Sequence, residues 1–119
     1  MTSKTILDNS LIDRICDYVS RVDAQLDVEK AFIFGSTARG NRLKESDVDL
    51  IIVSKTFRRM PRPKRLYLLQ KLWNYNEELQ ALAYTPEEFE KSKERLMMKE
   101  ILSYATELVP STTETLQSR

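Results

Sequence analysis

Two aspartates, Asp47 and Asp49, lie in the segment Asp-Val-Asp-Leu-Ile-Ile-Val over 47–53. So many aliphatic and β-branched residues predict a strand. On a strand, residues i and i+2 face the same side, with Cα atoms about 6.5–7 Å apart. Two ionised carboxylates so placed repel each other unless something cationic sits between them. Magnesium suits the position, because it takes oxygen ligands and usually binds through one or two carboxylates plus substrate phosphates. The chain has only two glycines, Gly35 and Gly40, both in the segment Gly35-Ser-Thr-Ala-Arg-Gly40. Gly35 directly follows the apolar run Ala31-Phe32-Ile33-Phe34, and Ser36 can cap a short helix there. Backbone N–H groups at such a turn, helped by the positive end of a helix dipole, form a seat for phosphate. Taken separately, the glycine turn and the paired acids each have a bland reading, as an ordinary turn and as solvated carboxylates. Jointly, Gly35-Ser36, ten residues from Thr37 to Ser46, and Asp47-Val48-Asp49 place a phosphate seat beside a cation seat. Phosphoryl transfer requires both.

The elements that must hold these residues are readable from periodicity. Ser10-Leu-Ile-Asp13 has the form of a capping box, and Leu11, Ile12, Ile15, Cys16, Val19 and Val22 recur at helical spacing. Residues 29–34 and 47–53 read as strands, and residues 78–84, Glu-Leu-Gln-Ala-Leu-Ala-Tyr, as a third. Pro61 and Pro63 stand at the start of a helix expected from Arg62 to about Tyr75. Thr85-Pro86-Glu87-Glu88 opens a helix expected to run to about Leu108, with Met97, Ile101, Tyr104 and Leu108 as one stripe and Met98, Leu102 and Ala105 beside it. The expected fold is α/β, a small mixed three-stranded sheet flanked by helices. The link between the first two strands is too short for an ordinary crossover, so they should be antiparallel. The second and third are joined by a helix and should be parallel. Residues 1–9 and 109–119 read as tails around a domain at 10–108.

Composition narrows the chemistry. The chain has 119 residues, 41% of them hydrophobic and 31% charged, which suits one domain with its own core. No apolar run approaches the length of a membrane span and no signal-peptide core is visible, so a cytoplasmic protein is expected. There is no histidine and a single cysteine, Cys16, which excludes imidazole bases, His-based triads and a cysteine zinc cage. Cys16 itself lies on the apolar stripe of the first helix and reads as packing. Catalysis falls to carboxylates, hydroxyls, Lys, Arg or an oxygen-bound metal.

The spacing GS, ten residues, DxD resembles the signature of the nucleotidyltransferase superfamily that includes DNA polymerase beta and kanamycin nucleotidyltransferase. Size and layout are similar to those of the minimal nucleotidyltransferases, from the first helix to about residue 108, and Thr85-Pro-Glu-Glu-Phe89 is similar to the start of their last helix. The resemblance implies a polymerase beta-like fold. It also implies Mg²⁺-dependent transfer of an NMP group, AMP foremost, from ATP or another nucleoside triphosphate to a hydroxyl, with release of pyrophosphate. Carried over by position, Asp47 and Asp49 are the catalytic, metal-holding pair. Gly35 and Ser36 contact the triphosphate, and Arg39 adds positive charge near the phosphates. Minimal members are often encoded with a helical HEPN-domain protein as antitoxin and toxin, so the resemblance implies such a partner, modified on a tyrosine. One position departs from the pattern. The superfamily's third carboxylate is expected at position 80, where this chain has Gln80. An amide is neither a base nor an anionic ligand. Glu78, two residues earlier on the same face, either substitutes for it or is a solvated strand-edge residue. A catalytically impaired binding module that acts by partner contact is therefore the second reading.

Charge supplies a third reading. The net charge is +1, but Leu50 to Asn76 holds seven bases (Lys55, Arg58, Arg59, Arg62, Lys64, Arg65, Lys71) and no acid, while Glu77 to Glu100 is rich in acids. Arg58, Arg59, Arg62, Lys64 and Arg65 could dock RNA, the nucleotide or an acidic partner surface, or could be a solvated face. Tyr67, Leu69 and Trp73 read as core, and no aromatic residue lies among Arg58, Arg59, Arg62, Lys64 and Arg65 before Tyr67, so a base-stacking platform is not indicated. The stripe Met97, Met98, Ile101 and Leu102 is broad enough to receive a partner or a second copy.

Overall fold

The computed structural model describes residues 9–35 and 47–108. Residues 1–8, 36–46 and 109–119, with Ser36, Arg39 and Gly40 among them, lie outside the described residues. Helix α1 (Asn9–Leu26) buries Leu11, Ile15, Tyr18, Val19, Val22 and Leu26 along one face, while Ile12 and Cys16 border it. The one polar group on that face, the Tyr18 hydroxyl, donates to the carbonyl of Leu69 at 2.7 Å. The helix ends at Asp27, which takes a left-handed φ of 57°. Asp23 secures the exit, its carboxylate accepting from the N–H of Val28 at 2.8 Å.

Among the described residues the sheet has four strands, β1 (Val28–Phe34), β2 (Asp47–Ser54), β3 (Glu78–Tyr84) and β4 (Thr106–Leu108), in the order β3-β2-β1-β4. As expected, β1 and β2 are antiparallel and β2 and β3 parallel. Between β2 and β3 lie a 3₁₀ turn (Lys55–Arg59) and helix α2 (Arg62–Leu72). Two short helices follow β3, α3 (Pro86–Ser92) and α4 (Leu96–Tyr104). The strand period of two sorts β2 cleanly. Val48, Leu50 and Ile52 enter the core shared with α1 and with Leu69 of α2, whereas Ile51 and Val53 pack with Phe89 of α3 and with Met98 and Ile101 of α4. Asp47 and Asp49 share the second face, at the start of the strand.

Four expectations are corrected. The sheet has a fourth strand, because Thr106–Leu108 pairs antiparallel with Ala31–Ile33 of β1. The helix expected from Thr85 to Leu108 is broken. Its first part ends in i→i−3 bonds from Lys93, Glu94 and Arg95, and Leu108 is a buried strand residue. The break turns Met98 and Ile101 onto the sheet while Leu96 and Met97 point outward, 81% and 65% exposed. The third correction is Tyr67, expected in the core but 62% exposed on α2. Helix α2 also stops at Leu72, three residues earlier than Tyr75. Trp73 takes an extended backbone there, and its indole N–H donates to the carbonyl of Glu77 at 2.6 Å.

Candidate functional site

Register places four polar side chains on one face at one end of the sheet. Asp49 lies opposite Phe34 of β1 on one side and Gln80 of β3 on the other, and Asp47 lies opposite Glu78. The residue after Phe34 is Gly35, with φ 73°. That conformation is unfavourable for any residue with a Cβ. Space demands glycine as well, since a Cβ at position 35 would overlap the carboxylate of Asp49. The glycine is therefore the cradle of the acid, and the turn after β1 and the Asp pair are one packed unit.

Asp49 is half-buried in this cradle. Burial pushes its carboxyl above the usual aspartate range, and the charge of Asp47 pushes it further. Both causes are relieved when a cation shares the site. Gln80 is exposed at the register position beside Asp49, and its amide donates to Glu78 at 3.5 Å, the outer limit of a hydrogen bond. Among the described residues no group of three or more acids, Cys or His is placed to hold a metal. The donor set fits a hard cation held by two carboxylates, with further positions left for water and phosphate oxygens.

The neighbouring elements hold this end of the sheet in place. Arg14 of α1 clasps Glu77, the residue before β3, with two hydrogen bonds of 3.0 and 3.1 Å. At the opposite end of β3, Thr85 and Glu88 form the expected capping box at the start of α3, with bonds of 2.9 and 3.1 Å.

The sequence profile described as "nucleotidyltransferase domain" matches residues 12–114. The chain belongs to the nucleotidyltransferase domain family. No curated protein matches it. Its fold is similar to the crystal structure of a candidate nucleotidyltransferase from Sulfolobus solfataricus. The TM-score is 0.59 and the identity 25%, over 76% of this chain and 84% of the other.

Within this nucleotidyltransferase domain, three of the residues singled out by sequence, Gly35, Asp47 and Asp49, come together, while Ser36 and Arg39 fall outside the described residues. The basic stretch does not act as one surface. Arg65 is buried, and its guanidinium donates to the carbonyls of Met60 and Ala83 and to the carboxylate of Glu88, at 2.9, 3.1 and 2.7 Å. Arg58 pairs with Glu87. Two of the five bases weighed for docking are therefore committed within the fold. The sequence signal for this was the Glu87-Glu88 pair in the first turn of α3, read there for capping alone.

Proposed function

We propose that this nucleotidyltransferase domain moves an NMP group, AMP foremost, from a nucleoside triphosphate to a hydroxyl with Mg²⁺, the acceptor being a tyrosine of a HEPN-type partner that the chain restrains as an antitoxin. In the reaction, the acceptor oxygen forms a bond to the α-phosphorus, the bond to the β-phosphate oxygen breaks, and pyrophosphate leaves. Asp47 and Asp49 hold the cation. Gly35 and Ser36 bind the triphosphate, and Arg39 adds charge beside it. The bound cation would neutralise phosphate oxygens and the charge growing on pyrophosphate. Gln80 has no capacity to take the acceptor's proton; Glu78, exposed on the same face, is the carboxylate of β3 that could.

One observation carries this reading: the Asp49 carboxylate rests where a Cβ of residue 35 would be, with Asp47 on the same strand face. It makes the glycine turn and the acid pair a single device in a chain of this family. The test is incubation with α-labelled ATP, Mg²⁺ and a candidate HEPN-type partner protein. Label on that protein, lost in an Asp47→Ala, Asp49→Ala double variant, is expected. No label, or label that survives the double variant, overturns the catalytic claim.

Gln80 favours a second reading, a domain that binds metal–nucleotide and acts by contact. If Gln80→Asp gains transfer that the natural chain lacks, this reading stands. Equal transfer by the two proteins counts against it.

A further inference from the structure

Strand β3 is an edge of the sheet, and a groove of about 540 Å³ lies beside its C-terminal end, at the opposite end of the strand from Glu78 and Gln80. Its lining combines two kinds of side chain. Tyr84, Met97 and Met98 are apolar, and Arg62, Lys91 and Arg95 are cationic. A smaller hollow, sharing Arg62 and Tyr84, continues it along Leu66 and residues 81–83. The acid in the groove, Glu88, is already held by the buried Arg65. Arg62 reaches Glu88 only at 3.9 Å, and its guanidinium lies 6.0 Å over the Tyr84 ring. Lys91 and Arg95 are exposed and have no ion-pair partner among the described residues. The break between α3 and α4 leaves Met97 of the lining and its chain neighbour Leu96 exposed, though a continued amphipathic helix would have no reason to expose both.

We infer that this groove is a docking surface for an acidic, apolar-faced segment of a partner protein. Carboxylates on the segment answer Arg62, Lys91 and Arg95, and its aliphatic side chains cover Met97, Leu96 and Leu66. Three features select this occupant. The cations outnumber the acid they face, so the complement is anionic. Met97 and Leu66 offer flexible aliphatic chains, and the ring in the lining, Tyr84, already lies under the Arg62 guanidinium, which suits protein side chains better than stacked bases. A two-fold pairing of two copies would set the same basic lining against itself, which like charges oppose. The inference stands whether or not the domain transfers a nucleotide, because no groove residue belongs to the Asp47–Asp49 end.

The test is selection of random 12-residue peptides displayed on phage against the full chain, followed by affinity measurement with the selected synthetic peptides. The expected winners alternate Asp or Glu with Leu, Ile, Met or Phe. Their affinity should fall at least tenfold in an Arg62→Glu, Arg95→Glu variant and, independently, in Met97→Glu, while Arg59→Glu leaves it unchanged. Thermal melts of the variants check that each is folded; all three positions are exposed, and Met97→Glu alone suffices if the double variant does not fold. No selection, basic winners, or affinity indifferent to both groove variants overturns the inference. So does tighter binding of a short oligouridylate with the same dependence on Arg62 and Arg95, or a dimer in light scattering that Met97→Glu dissolves.

Discussion

An alanine at position 35 must keep φ near 73° and place its Cβ where the Asp49 carboxylate lies. The left-handed backbone alone costs about 1–2 kcal/mol. Gly35→Ala should therefore lower unfolding free energy by at least that much in urea titration, and should also weaken Mn²⁺ binding, because Asp49 has to move. Asp49→Asn should separate the two effects. Removing a carboxylate that burial and Asp47 both disfavour should leave metal-free stability undiminished, while transfer falls by about 100-fold or more, the scale for losing one preorganised electrostatic contact. The pH dependence follows from the same shift. Cation affinity needs ionised Asp49, so in calorimetric titrations it should fall at a higher pH than for an ordinary aspartate. In Asp47→Asn that fall should move only part of the way down, since burial is the larger cause. At this scale the sequence is highly legible. The period of two puts Asp47 and Asp49 on one face before any coordinates exist. It does not reveal that residue 35 needs glycine to make room for a side chain fourteen positions later, because that contact depends on the antiparallel register of Phe34 with Asp49.

Arg65 ties three elements together. It links α2 to the carbonyl of Ala83 in β3 and to Glu88 in α3, and also satisfies Met60. Arg65→Ala leaves those acceptors unmet. It should cost about 2–3 kcal/mol, below the full range for a buried pair because Glu88 remains a third exposed. Arg59→Ala, on an exposed position of the same basic stretch, should stay within about 0.5 kcal/mol. Chemical denaturation of the two variants distinguishes a structural arginine from a surface one. The helix pair after β3 gives a similar contrast. Met98→Ala should cost about 2–4 kcal/mol, and Met97→Ala almost nothing, since one is buried and the other points to solvent. Sequence alone does not separate these neighbours. Leu108 continues the spacing of Ile101 and Tyr104, so the pattern extends a helix through residues that in fact pair with β1. No glycine or proline marks the break at Lys93–Arg95, and a three-residue strand is too short to show alternation.

For the whole molecule, acid stability is set by groups of opposite sign. Arg58 holds Glu87 down to about 2, and Arg65, opposed in part by burial, holds Glu88 below the usual glutamate range. Carboxylates with lowered values contribute stability that is present above their ordinary range and is lost as pH falls through the lowered ones. Asp49 acts in reverse, its penalty relieved as pH falls through its raised value. The melting temperature should therefore begin to fall as pH enters the ordinary carboxylate range and go on falling through the lowered values, with Asp49 offsetting part of the early loss. Glu88→Gln should be less stable near neutrality but show a shallower acid loss, and Asp49→Asn, without the offset, a steeper one. Fold class, strand directions and the acid end of the sheet all follow from chain order and periodicity. The fourth strand and the committed arginines follow from pairings distant in sequence, which no local pattern records. The account rests on one arrangement, a cation shared by Asp47 and Asp49 with a triphosphate against the turn at Gly35. Crystals grown with Mn²⁺ and a non-hydrolysable ATP analogue test it most directly. An anomalous peak between the two carboxylates, with phosphate oxygens completing its ligands, is the predicted result. Manganese bound elsewhere, or a nucleotide that leaves the pair untouched, would contradict it.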